Sequence, residues 1–204
     1  MRTRQFAALI VSAALPALAH AHHSMGGATP STAFEGLLSG LAHPVIGVDH
    51  LLFVLAIGAA CFYFGQRAGA VAAFLLAALG GTVLHLWKVA LPYPDAWVAV
   101  TLVVFGVLLV KAGPVLKSRA ALGLFALCGV AHGYAYGEAI VGAEQTPLFA
   151  YLIGLTAVQV LIVLAGYGLA RAVHGNRPEL RSVRAIGGTL SVAGAAFLLF
   201  SLSA

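Results

Sequence analysis

Two short stretches of this sequence carry side chains that could bind a metal ion. HPVIGVDH holds His43, Asp49 and His50, and AHGYAYGEA holds His132 and Glu138. Both adjoin long apolar segments, and a charged side chain inside a membrane costs at least about 2.5–3.5 kcal/mol on insertion scales. Such residues usually pair, line a water-filled path or bind an ion. Imidazole and carboxylate ligands without paired thiolates favour a borderline divalent metal, namely Ni²⁺, Co²⁺, Zn²⁺ or Cu²⁺.

The spacing within the first stretch limits how its residues can act together. On a regular helix His43 and His50 share a face but lie about 10.5 Å apart along the axis. One metal with bonds of about 2 Å cannot bridge that distance. Either the helix begins after His43, since Pro44 suits a first helical position, or the residues form successive stations on a path. Gly47 would permit local unwinding or close helix approach.

Composition indicates an integral membrane protein. Of 204 residues, 61% are hydrophobic and only 8% are charged, whereas soluble domains carry about 25% charged residues. The net charge of +5 does not indicate a nucleic-acid partner, because the basic residues are scattered singly between apolar runs. Cys61 and Cys128 form no CxxC pair and are interpreted as small apolar fillers.

The predicted fold is all-α, a polytopic membrane protein with six transmembrane helices. Most apolar runs reach the ~20 residues that a helix needs to cross the hydrocarbon. Strands are not expected, because nothing alternates with period two and an open sheet cannot satisfy its backbone in lipid. The predicted spans are Pro44–Phe64, Ala68–Trp87, Ala96–Val110, Ala120–Ile140, Leu148–Ala172 and Val183–Leu202.

The first 19 residues are predicted to be a cleaved signal peptide. They combine a positive start, an apolar middle and a small-x-small pattern that ends at Ala19. Cleavage after Ala21 and an uncleaved first helix are the alternatives. The predicted division is a signal peptide over residues 1–19, a histidine-containing periplasmic tail over 20–33 and a six-helix transmembrane domain over 34–204.

The distribution of lysine and arginine predicts the orientation. With the mature N-terminus and the C-terminus both periplasmic, Lys88 is the only basic residue left on the outer side of a bacterial inner membrane. His85, beside Trp87 and Lys88, is either a ligand or an interfacial anchor. In this orientation the outer half of the bundle gathers the candidate ligands His43, Asp49, His50, His85, His132 and Glu138.

The predicted periplasmic tail adds a separate group of candidate ligands. Cleavage after Ala19 would place His22 third from a free α-amine, behind His20, and this arrangement could enclose Cu²⁺ or Ni²⁺ in a square plane. His22, His23 and Met25 could also gather metal loosely outside the membrane. A tail with chance histidines is the alternative interpretation.

Both motifs resemble those of a known family. HPVIGVDHLLFVLAIG is similar to the HPxxGxDHxxxxxxxG motif of the HupE/UreJ family of hydrogenase and urease accessory membrane proteins. AHGYAYGEA resembles that family's second motif, usually HGxAHGxE. The resemblance implies nickel or cobalt uptake by a secondary permease, with a requirement for the motif residues His43, Asp49, His50, His132 and Glu138.

The sequence departs from the second motif at Tyr136, where the family usually has a histidine. Tyr136 shares a helical face with His132, whereas Glu138 lies on a different face. The change removes a nitrogen ligand and leaves a phenol, which is compatible with a change of metal to copper or zinc.

Transport is therefore the predicted function, and no enzymatic activity is expected. The chain is interpreted as a permease that imports Ni²⁺, or else Co²⁺ or Cu²⁺, as substrate, without a resident cofactor. It contains no P-loop motif. The predicted partners are the lipid bilayer, the ion, and metallochaperones or metalloenzyme maturation proteins. The alternatives are a copper or zinc transporter of the same fold, a haem-binding electron carrier using His85 and His132, and an intramembrane metal hydrolase with Glu138 as base.

Overall fold

The computed structural model describes residues 28–65, 68–111, 116, 118–175 and 179–203. The predicted signal peptide and the tail residues His20, His22, His23 and Met25 lie outside this part of the chain. The described residues form helices and contain no strand, which confirms the all-α prediction for them. The helices are α1 (Ala33–Ile46), α2 (Val48–Phe64), α3 (Ala68–Leu86), α4 (Pro94–Lys111), α5 (Ala120–Gly137), α6 (Gln145–His174) and α7 (Leu180–Ser203), with a short 3-10 helix (Glu138–Ile140) after α5.

Five of the described helices, α3 to α7, are long and apolar enough to cross a membrane. The first two form a pair that is bent by 79° and passes the same test only when taken together. The described residues therefore contain five candidate spans, or six when the bent pair counts as one broken span. The observed ends of α3 to α7 differ from the predicted ones by only a few residues, because hydropathy locates the apolar part of each helix.

The first predicted span is wrong in its boundaries and its shape. The helix does not begin after His43; α1 begins at Ala33 and continues through Pro44 to Ile46. A capping box starts it early, because the Thr32 hydroxyl accepts from the Glu35 backbone N–H and the Glu35 side chain reaches back to the Thr32 backbone. Pro44 then removes one helical hydrogen bond from the last turns of α1, and the chain changes direction at Gly47.

Two glycines allow pairs of helices to pack closely. A Cβ on Gly40 of α1 would collide with the backbone carbonyl of Tyr151 on α6, and a Cβ on Gly133 of α5 would collide with the backbone of Ala78 on α3. Glycine lets helices approach this closely in a membrane protein. These contacts fix α1 against α6 and α5 against α3, and so place the polar residues that the four helices carry.

Candidate metal-binding site

Three of the histidines that are predicted to be metal ligands are buried in the interior of the bundle. His43 is 1% exposed, and His50 and His132 are 0% exposed. Tyr136 and Tyr151 are equally buried beside them. Burying polar groups is costly unless they are hydrogen-bonded or serve a ligand. The buried cluster is defined here as His43, Asp49, His50, Thr101, His132, Tyr136 and Tyr151.

The break between α1 and α2 brings the first two histidines together. The ring centroids of His43 and His50 lie 5.8 Å apart, although seven residues of straight helix would separate them by about 10.5 Å. Gly47 leaves room for the His50 ring beside the bend, because a Cβ there would lie 2.7 Å from Cδ2 of His50. The two rings are therefore closer to each other than a straight helix would allow.

Asp49 lies in the first turn of α2 and is only 8% exposed. Its Oδ1 accepts a hydrogen bond of 2.8 Å from the backbone N–H of His50. A carboxylate at this position offsets the partial positive charge of the helix N-terminus. It also supplies negative charge next to the imidazoles, where a cation would otherwise be poorly stabilised.

His132 connects α5 to α2 and α4. Its Nδ1 lies 2.8 Å from Nδ1 of His50, and its Nε2 lies 2.9 Å from the hydroxyl oxygen of Thr101. Thr101 in turn donates to the backbone carbonyl of Val98 at 2.7 Å. Both nitrogens of the ring are therefore engaged with other helices of the bundle.

A tyrosine of α6 contacts His43. Its Nδ1 lies 3.1 Å from the hydroxyl of Tyr151, which donates to the backbone carbonyl of Tyr136 at 2.7 Å. The structure thus uses Thr101 and Tyr151 to contact two of the motif histidines. The sequence does not predict either residue, because each is a single hydroxyl group within an apolar span.

Tyr136, the residue that departs from the motif, contacts both histidines of the broken helix. Its ring centroid lies 4.4 Å from that of His50 and 5.2 Å from that of His43. Its hydroxyl is buried beside the Gln159 side chain, but the two groups do not meet the geometry of a hydrogen bond. The substituted position therefore faces the cluster.

Two further candidates are placed elsewhere. Glu138 is exposed at the start of the 3-10 helix. His85 is partly buried at the end of α3, with its ring 4.5 Å from that of Tyr134 and its Cβ against Gly137. The structure thus gathers His43, Asp49, His50 and His132, whereas Glu138 and His85 lie towards the end of the bundle where α3 and α5 finish.

The cluster is organised by hydrogen bonds. Among the described residues, no three side chains of His, Cys, Asp or Glu are grouped so that they could hold one ion. A cavity of about 540 Å³ lies between α2, α6 and α7, but Leu52, Tyr63, His174 and mainly apolar neighbours line it, not the histidines of the cluster.

Comparisons with known proteins agree with the motifs. A family described as HupE / UreJ protein matches residues 8–197 of the chain. Protein HupE of Rhizobium leguminosarum bv. viciae is 29% identical over 201 residues, which cover 98% of this chain and 100% of that protein. No solved structure matches the chain. Both the broken helix and α5 lie within the matched range.

Proposed function

Because the chain belongs to the HupE/UreJ family, we propose that it is a secondary permease that imports a first-row divalent metal ion. The family is associated with nickel and cobalt uptake for hydrogenase and urease and is not a catalytic one. Ni²⁺ is the first candidate substrate, and Co²⁺ is the second. The ion enters from the periplasm of a bacterial inner membrane, where the N-terminus of the mature chain lies after removal of the signal peptide.

The buried cluster at the helix break is the observation that carries this proposal. Discontinuous helices form the substrate sites of many secondary transporters near the middle of the membrane. Here the bend between α1 and α2 lies beside His43, Asp49 and His50, all less than a tenth exposed. Buried ionisable groups of this kind usually mark an ion or proton pathway.

Glu138 and His85 lie outside the buried cluster, and the ion would meet them first on the proposed path. Glu138 is exposed, so its carboxylate can meet a hydrated cation before the ion reaches the buried imidazoles. His85 lies near Gly137, the last residue of α5 before Glu138. We assign both residues to the outer entrance and assign His43, Asp49, His50 and His132 to the central site.

The packing around His132 disfavours the haem alternative. The rings of Phe53 and Phe74 lie 4.4 Å and 5.8 Å from the imidazole, and both ring nitrogens have polar neighbours at hydrogen-bond distance. A porphyrin would need the space that these aromatic rings fill. An intramembrane hydrolase would need three fixed ligands and an open position, and Glu138 is too exposed to act as a base buried with the histidines.

Replacing Tyr136 by histidine should change the metal preference. The change restores the usual family motif and puts an imidazole where the phenol now contacts His43 and His50. Because ligand number and geometry set selectivity more than affinity does, we expect an altered ratio of nickel or cobalt to copper in cells, measured by elemental analysis. The shift should disappear when Asp49→Asn is combined with Tyr136→His.

The matched control is Tyr136→Phe, which keeps the ring and adds no ligand. It should leave the metal ratios close to those of the wild type. An unchanged preference in Tyr136→His, with transport intact, would show that the side chain at this position does not meet the ion.

Deleting residues 20–25 should weaken uptake mainly at low metal concentration. A capture site in the tail raises the local supply of ion without forming the path through the membrane. Uptake rates at limiting and saturating metal would be compared with a variant that has serine at His20, His22 and His23. Complete loss of uptake at saturating metal in both variants would place the tail within the path itself.

A further inference from the structure

We propose that Thr101 and Tyr151 are positioning residues that fix the tautomers of His50 and His43, so that both imidazoles present an Nε2 lone pair to the ion. This inference rests on the proposed transport function. It concerns two residues that belong to neither sequence motif and that reach the histidines from α4 and α6.

The first chain of hydrogen bonds runs from α4 to α2. A threonine hydroxyl has one hydrogen, and Thr101 donates it to the Val98 carbonyl at 2.7 Å. Towards Nε2 of His132, at 2.9 Å, the same oxygen can therefore only accept. Nε2 of His132 must carry hydrogen. In a fully buried site the ring is neutral, because an isolated buried charge is costly, so Nδ1 of His132 carries the lone pair.

The next step of this chain sets His50. Its Nδ1 lies 2.8 Å from Nδ1 of His132, and two lone pairs cannot face each other at that distance. Nδ1 of His50 must therefore donate. A neutral imidazole has one N–H group, so Nε2 of His50 carries the lone pair.

The second chain sets His43 in the same way. The Tyr151 hydroxyl donates its single hydrogen to the Tyr136 carbonyl at 2.7 Å. It can only accept from Nδ1 of His43 at 3.1 Å. Nδ1 of His43 therefore carries hydrogen, and its Nε2 has the lone pair. Two unrelated hydroxyl groups thus select the same tautomer in the two histidines on either side of the helix break.

The selection has a direct consequence for metal binding. An imidazole binds a metal through the nitrogen that carries the lone pair, and the hydrogen bond made by its other nitrogen decides which one that is. With Nδ1 of both rings committed to hydrogen bonds, Nε2 is the ligand atom of His43 and His50. His132 then acts on the ion through His50, as the acceptor that holds its tautomer.

The tautomers can be measured in the metal-free protein. Nitrogen-15 NMR of histidine-labelled protein in detergent distinguishes protonated from unprotonated ring nitrogens, and spectra of His43→Gln and His50→Gln assign the signals. We expect protonated Nδ1 and unprotonated Nε2 at both residues. Thr101→Val should move the His50 population towards the Nε2-protonated form, whereas Thr101→Ser should keep the wild-type pattern.

Uptake kinetics test the consequence for the ion. Loss of groups that orient metal ligands typically costs roughly tenfold to a hundredfold in metal affinity. Thr101→Val and Tyr151→Phe should raise the half-saturating metal concentration by about that factor. Thr101→Ser, which keeps the hydroxyl group, should have the half-saturating concentration of the wild type. Wild-type kinetics in a folded Thr101→Val protein would overturn the proposal.

The two measurements separate this inference from the proposed function. Protonated Nε2 at His43 or His50 in the wild type would overturn the tautomer assignment and leave metal transport untouched. The expected tautomers, together with no uptake of any metal by the wild type, would overturn the transport function on which this inference rests.

Discussion

Asp49→Asn should reduce metal uptake to the level of cells that lack the protein, while the protein remains inserted and folded. Asp49 is the one carboxylate among the buried charged side chains of the described residues. Its neighbours in the cluster are neutral ligands, so the variant leaves a divalent ion without a buried counter-charge, which is strongly unfavourable. Asparagine keeps the shape and still offers an oxygen to the backbone N–H of His50. Uptake of radioactive nickel, normalised to protein in the membrane fraction, measures the loss.

Glu144→Gln is the matched control for this variant. Glu144 is also a carboxylate next to a helix N-terminus, that of α6, but it is exposed and makes no side-chain capping bond there. Its neutralisation should leave uptake unchanged. Near-normal uptake by a well-expressed Asp49→Asn protein would remove Asp49 from the mechanism.

Gly47→Ala should lower uptake by on the order of tenfold or more, the loss that is typical when the groups that orient a metal ligand are disturbed. The backbone at Gly47 has φ −69°, which alanine adopts without strain. The added Cβ, however, would lie 2.7 Å from Cδ2 of His50, whereas ordinary contacts begin near 3.4 Å. The His50 ring must therefore move by several tenths of an ångström, and its hydrogen bond to His132 must change. Metal uptake and the His50 nitrogen-15 signals report the two effects.

Gly80→Ala is the matched control, because its added Cβ makes no contact with a neighbouring group. Gly80 lies in α3, and a Cβ there would have no atom within 4 Å. Alanine also has a higher helix propensity than glycine, so this variant should transport like the wild type. Equal uptake by Gly47→Ala and Gly80→Ala would show that the position of the His50 ring does not limit transport.

The helices could be predicted from the sequence because apolar length is a local property. The sequence allows local unwinding at Gly47 but does not decide whether the helix is broken there, because a straight helix and a broken one have the same composition. The early start of α1 has a local signal in the sequence, because Thr32 and Glu35 have the spacing of a capping box. Thr32 falls within the segment that the sequence predicts as tail.

The motif histidines could be predicted as a group, but their partners could not. His132 and Tyr136 lie on one face of α5, and both are buried as that face requires. Thr101 and Tyr151 lie on other helices, and single hydroxyl groups in apolar spans do not reveal which helix they meet. The second motif also gave no indication that α5 ends at Gly137, so that Glu138 begins a 3-10 helix and is exposed.

Reconstitution of the purified protein into liposomes tests the central claim most directly. Vesicles loaded with a metal-sensitive dye would be exposed to Ni²⁺, Co²⁺, Cu²⁺ or Zn²⁺ without ATP, beside vesicles that lack protein. We expect Ni²⁺ or Co²⁺ to enter the protein-containing vesicles at a saturable rate well above that of empty vesicles. Entry of all four ions at the rate of empty vesicles, with the protein inserted and intact, would contradict the assignment of this chain as a metal permease.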